Sequence, residues 1–158
     1  MRIVIKPHHL LDLLYEVDFY DGCLPESHPY GHQMGWIGNL LVTGEVDAVI
    51  FTVKADDGCG LDCSKLKNGK CTDVFSTEER AIYNYGSKFL YSYVQDADLA
   101  EALPEVFAFG IERRLKYVLD MLRCNLSQKL LDICWPRPDR MAHTEKGLER
   151  ILKAIRVC

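Results

Sequence analysis

Arg2-Ile3-Val4-Ile5-Lys6-Pro7-His8-His9-Leu10-Leu11 opens the chain and sets its architecture. Arg2–Lys6 carries the β-branched Ile3, Val4 and Ile5 in a row, the pattern of a short strand. Pro7 suits the first turn of a helix, where a missing N–H does no harm. From His8 to about Val17, Leu10, Leu11 and Leu14 form one apolar face at helical spacing. A strand therefore runs directly into a helix.

Outward from there the pattern is mostly helical. Asp21–Gly31 is rich in Pro, Gly, Ser and Asp and reads as a loop. Gln33–Val42 places Met34, Ile37, Leu40 and Leu41 at helical spacing. Asp47–Lys54 is the clearest strand, with Val49, Ile50, Phe51 and Val53. Ala55–Asp73 is a loop full of turn residues and cysteines. Ser76 with Glu79 forms a capping box and predicts a helix to about Tyr85 or Phe89. Asp96–Leu103 reads as a short helix, and Pro104 can open another. Val106, Phe109, Leu115, Val118, Leu119 and Leu122 give the longest helical stripe, with Glu112-Arg113-Arg114 on its solvated face. Asn125–Ile133 reads as a further helix, ended by Trp135-Pro136-Arg137-Pro138. Thr144–Ile155 is a final amphipathic helix bearing Leu148, Ile151, Leu152 and Ile155. The expected fold class is α+β: one compact, mainly helical domain over 1–158, with a small two- or three-stranded sheet and a cysteine-rich metal-binding loop.

Composition narrows the function classes. The formal charge of −4 and the scattered Lys and Arg leave no basic face, so nucleic acid is not an expected partner. The apolar runs are too short to cross a membrane. The start lacks the apolar core of a signal peptide, so the expected location is the cytoplasm. Seven cysteines, an odd number, in such a reducing compartment point to metal or redox chemistry rather than to disulfides.

The chemistry concentrates in Asp56-Asp57-Gly58-Cys59-Gly60-Leu61-Asp62-Cys63, continuing to Cys71. Thiolates hold zinc or iron when several converge on one point, and a glycine-rich loop can fold back to let them do so. Lys65, Lys67 and Lys70 offset part of the negative charge. Three thiolates do not complete a tetrahedral zinc site or an iron–sulfur cubane, both of which usually take four protein ligands. Cys124, near the end of the stripe helix, and Cys134, just before a helix-breaking Trp-Pro, are the donors on offer from elsewhere in the chain. Coordination chemistry alone leaves zinc and iron–sulfur both open.

Lys6-Pro7-His8-His9-Leu10-Leu11 resembles the opening motif of the DUF1284 family, small prokaryotic proteins described as iron–sulfur binding. Asp56-Asp57-Gly58-Cys59, with the later Cys63 and Cys71, is similar to that family's Asp-Asp-x-Cys segment, and Cys134-Trp135 to an element near its C-terminal end. The resemblance covers most of the chain thinly, and Pro-His-His-Leu-Leu is its most specific part. It implies an iron–sulfur cluster, 4Fe–4S first, held by Cys59, Cys63, Cys71 and Cys134, and it implies a redox partner protein. Many members of that family carry a cysteine directly after the two leucines. This chain has Asp12 there, which makes Asp12 a further candidate ligand.

His8 and His9 are expected beside the cofactor. Adjacent helical residues point about 100° apart, so one of them faces the core and the other the site. Three functions follow: an iron–sulfur protein, a structural zinc domain with the same ligands, and an enzyme in which His8 or His9, with Asp12, does acid–base chemistry beside the metal.

Overall fold

The computed structural model describes residues 1–26, 33–59, 64, 66–68, 70–71, 92–134 and 137–157. The expected helix from Ser76, Cys63 and Trp135 lie outside them. β1 (Arg2–Ile5) passes into α1 (Pro7–Phe19) through Lys6, whose extended backbone precedes Pro7 at the first helical position. α1 is buried on nearly every side, with Leu10, Leu11, Leu13, Leu14 and Val17 all inaccessible to solvent. A helix apolar around its whole circumference belongs at the centre of a fold. α1 packs on α2 (Met34–Val42), α3 (Ser92–Ala102) and, most extensively, α7 (Arg140–Val157).

After α2 the chain enters β2 (Ala48–Phe51), parallel to β1 with Ile3 opposite Val49 and Ile5 opposite Phe51. Parallel neighbours need a crossover, and α1 with α2 supplies it. Ile3, Ile5, Val49 and Phe51 turn inward and join the α1 side chains in one apolar core. The expected mainly helical α+β class, with a small sheet, is what the structure shows: seven helices among the described residues surround three mixed strands.

The stretch read as one long helical stripe is divided. α4 (Pro104–Phe107) ends early, and Gly110 adopts a left-handed φ of +79°, which other residues rarely accept. Its N–H reaches the Phe51 carbonyl at 2.9 Å. Glu112–Arg114 is then β5, antiparallel on the second edge of β2, with Arg113 opposite Val49. The three charged residues expected on a solvated helix face are therefore an edge strand. Pairing satisfies the backbone groups that β2 would otherwise leave open, a non-local gain that helical periodicity does not register. α5 (Leu115–Asn125) resumes the stripe and buries Leu115, Val118, Leu119 and Leu122 as expected. The helix expected over Asn125–Ile133 shrinks to α6 (Gln128–Leu131), capped by the Ser127 hydroxyl, which accepts from the Leu130 N–H at 3.1 Å.

The cysteine segment holds one feature the loop reading missed. β3 (Leu66–Lys67) and β4 (Lys70–Cys71) pair as a short hairpin, with Leu66 opposite Cys71. Asn68 in the connection has φ +53°. An Asn-Gly dipeptide at such a turn is a strong local hairpin signal. β4 lies against α3.

Candidate metal centre

α1 begins without a capping side chain of its own: Lys6 occupies the cap position and makes no side-chain cap hydrogen bond. The free N–H groups of a helix start need partners, and the positive end of the helix favours negative charge. Two distant carboxylates provide both. Asp96 of α3 accepts the His8 N–H at 2.9 Å, and Asp56 accepts the Lys6 N–H at 2.6 Å. Asp56 arrives there because the segment after β2 runs back along the end of β1. The Thr52 N–H donates to the Ile5 carbonyl at 3.1 Å and the Asp57 N–H to the Val4 carbonyl at 2.9 Å. Asp57 also accepts the Val4 N–H at 2.7 Å. The strand edge thus fixes the entry of the cysteine loop.

Cys59 follows directly. Asp56 Oδ1 accepts the Cys59 N–H at 2.8 Å, a tight local turn. The thiol is buried, and Lys6 Nζ donates to its Sγ at 3.0 Å. His9 Nδ1 lies 2.7 Å from Asp56 Oδ2. One ligand-capable atom each of His9, Asp56 and Cys59 falls within 4.8 Å of the others. Nitrogen, oxygen and sulfur donors thus converge at the N-terminus of the central helix, beneath a lysine ammonium. These residue types fit zinc or iron.

The electrostatics follow from burial. Desolvation works to raise the Asp56 carboxyl, but His9 and then Lys6 outweigh it and hold it well below the usual carboxylate range. Burial, together with the Asp56 charge, pushes the Cys59 thiol up to about 12 against the pull of Lys6. Without a metal, Cys59 therefore keeps its proton at neutral pH. A metal must displace that proton to bind sulfur.

The two histidines diverge as helical geometry requires. His9 joins the group above. His8 turns inward, 3% exposed, with Nδ1 2.8 Å from Asp96 Oδ1. Burial works to lower the His8 pKa, and Asp96 more than compensates, leaving it raised.

The other expected ligands are distributed differently. Cys71 is the last residue of β4. Cys134 sits just past α6, fully buried in the apolar core, and burial raises its thiol strongly. It is not part of the His9–Asp56–Cys59 group. Cys124, near the end of α5, is exposed. Asp12 is engaged by Arg140 Nη1 at 2.9 Å, with Arg137 Nε at 3.8 Å. No family model matches the chain, and neither does any curated protein or solved structure.

The Asp12–Arg140 pair ties α1 to the start of α7. Desolvation works to raise the Asp12 carboxyl, but Arg140 and then Arg137 lower it below its ordinary value. A depressed carboxylate adds stability above its unfolded pKa, near 4, and that stability is lost as pH falls through the folded value. Asp12→Ala leaves the Arg140 charge buried without this partner and should cost about 3 kcal/mol at pH 7. The deficit should narrow as pH falls below about 4, because the unfolded chain then takes up a proton that the folded pair still refuses. Urea unfolding of both chains across pH 3–7 reads it out, and an equal deficit at every pH would contradict the assignment.

Residues missed by sequence reasoning include Lys6, Asp56 in its bonding role, and Asp96. One signal was available. A helix that starts Lys-Pro-His, with no Ser, Thr, Asp or Asn at its cap, needs acceptors from elsewhere in the chain.

Proposed function

We propose that this chain is a metal-binding protein whose centre is built at the N-terminus of α1, with Cys59 as its anchoring thiolate. The carrying observation is the convergence of His9, Asp56 and Cys59 within 4.8 Å. Iron–sulfur binding is the first form of this reading. In it Cys59, Cys63 and Cys71 hold the cluster, and the cluster, when bound, supplies one-electron transfer to a redox partner protein. The similarity to the DUF1284 motifs supports that form.

The chain's own residues have definite tasks. Lys6 places a cation 3.0 Å from Cys59 Sγ, where it stabilises the negative charge that appears when the thiol proton leaves. Asp56 holds the Cys59 backbone and the His9 ring in one frame. Ile5 and Phe51 of the sheet and Leu10 and Leu11 of α1 give that frame an apolar base.

A zinc centre is the second form, favoured by the nitrogen and sulfur donors of His9 and Cys59, both of which zinc accepts. The enzyme reading draws less support. His8 is buried against Asp96, and Asp12 is engaged by Arg140. The cytoplasm is the proposed location. Among the described residues no helix is long and apolar enough to cross a membrane.

Anaerobic purification of the full chain, followed by iron, acid-labile sulfide and zinc determination, tests the reading. A brown protein with matched iron and sulfide supports the first form. A colourless protein with stoichiometric zinc supports the second. A folded chain with neither metal, and no uptake of either on reconstitution, would overturn the proposal.

A further inference from the structure

We infer that His9 is a metal ligand through Nε2, beside Cys59, and that Asp56 acts as the carboxylate that orients it. The inference rests on the metal-binding reading above and sharpens it. That reading leaves a fourth donor to be found, and Cys134 stands outside the convergent group.

Asp56 contacts both residues, yet its own oxygens are occupied. Oδ2 accepts from the Lys6 N–H at 2.6 Å and faces His9 Nδ1 at 2.7 Å. Oδ1 accepts from the Cys59 N–H at 2.8 Å. Binding a metal through Asp56 would compete with the contacts that cap α1 and shape the loop. A carboxylate in this role accepts, so His9 Nδ1 is the atom that donates. With the proton on Nδ1, Nε2 is the ring atom left to carry a lone pair to a metal. Among the described residues no hydrogen bond is made by Nε2. Metal-bound histidines nearly always donate their other ring N–H to a carboxylate, a carbonyl or water, which fixes tautomer and direction. The same carboxylate also holds the backbone of Cys59, so one residue aligns the imidazole and the thiol.

His8 serves as an internal control. It makes an equivalent contact, Nδ1 to Asp96 Oδ1 at 2.8 Å, but no cysteine joins that pair in a convergent group. The same ring chemistry therefore caps and packs at one position and, at the next, brings a ring nitrogen within 4.8 Å of a cysteine sulfur.

The test uses the full-length chain loaded with Zn2+, and with Fe2+ and sulfide under anaerobic conditions. X-ray absorption at the metal edge should show outer-shell imidazole scattering in wild type. His9→Ala should remove that scattering and weaken Zn2+ retention in a chelator competition by more than about 100-fold. Asp56→Asn should weaken it by about 10–100-fold, the range typical of lost outer-shell partners. His8→Gln, read as metal bound per folded molecule, should leave both signals unchanged. Far-UV circular dichroism of each variant fixes the folded fraction, and His9→Gln provides a second folded variant if His9→Ala unfolds. Metal-loaded wild type without imidazole scattering, with affinity unchanged in His9→Ala, would overturn this inference and leave the metal-binding reading standing. Loss of metal in Cys134→Ala with full retention in His9→Ala would assign the fourth position to Cys134 instead. A wild-type chain that takes up neither metal would overturn the broader reading itself.

Discussion

On the proposed centre, Cys59→Ser should abolish metal binding while keeping the apo fold. A serine hydroxyl can still accept from Lys6 Nζ, now 3.0 Å from the sulfur, so the buried ammonium keeps a contact at this position. The Cys59 N–H to Asp56 bond is a backbone contact and survives the change. The apo protein should therefore melt within a few degrees of wild type, since about 1 kcal/mol shifts a domain of this size by roughly 2–4 °C or slightly more. Metal affinity should respond very differently. A soft thiolate is replaced by a hard, weakly acidic hydroxyl, a poor ligand for zinc or cluster iron. The expected loss exceeds the 10–100-fold, roughly, that outer-shell changes cause. Metal content after gel filtration in chelator, set beside the apo melting curve, separates the two effects. Full metal retention in this variant would remove Cys59 from the ligand set. A collapse of the apo fold would instead make the cysteine a packing residue.

Gly147→Ala should be strongly destabilising for so small a substitution. Gly147 lies on α7 where that helix crosses α1, and an added Cβ would drive into the backbone carbonyl of Leu14. The obstacle is main chain inside the central helix, so no side-chain rotamer change can relieve it. α1 and α7 must separate, and their interface holds Leu14, Leu148, Ile151 and Leu152 at the heart of the core. Overpacking of this kind costs about 1–3 kcal/mol and occasionally more. A main-chain clash between two well-packed helices belongs at the upper end, about 3 kcal/mol. Alanine normally favours a helix over glycine by about 1 kcal/mol, so the sign of the change is itself informative. Chemical denaturation of the apo chain reads it. A neutral or stabilising result would show that α7 does not approach α1 as closely as described.

The two predictions touch parts of the molecule that the sequence reveals unequally. The strand Arg2–Ile5, the helix from Pro7 and the final helix were legible because each carries a local period and a local start signal. Gly147, at mid-helix, reads as a mild weakness in sequence and is a contact point in three dimensions. β5 escaped for the opposite reason. Glu112-Arg113-Arg114 has no strand character of its own and is held extended by the open edge of β2. The hairpin at Asn68 did carry a local signal, an Asn-Gly turn, but its strands are only two residues each.

The site was legible by residue type rather than by partnership. Cys59 and the histidine pair stand out in the sequence, and helical geometry correctly separated His8 from His9. Asp56 looked like one more turn residue. Its role depends on the return of the chain along β1, across about fifty residues of sequence. Asp96 is farther still from His8 and is held there by the packing of α3 on α1. Such non-local capping leaves a trace only as an absence, the missing cap residue ahead of Pro7.

The most direct measurement is an anomalous difference map, collected at the iron and zinc edges from crystals of the anaerobically purified full chain. The proposed centre predicts a peak at the N-terminus of α1, in bonding contact with Cys59 Sγ and adjacent to His9. A metal peak elsewhere, beside Cys134 for instance, with the Lys6–Cys59 contact intact, would contradict it.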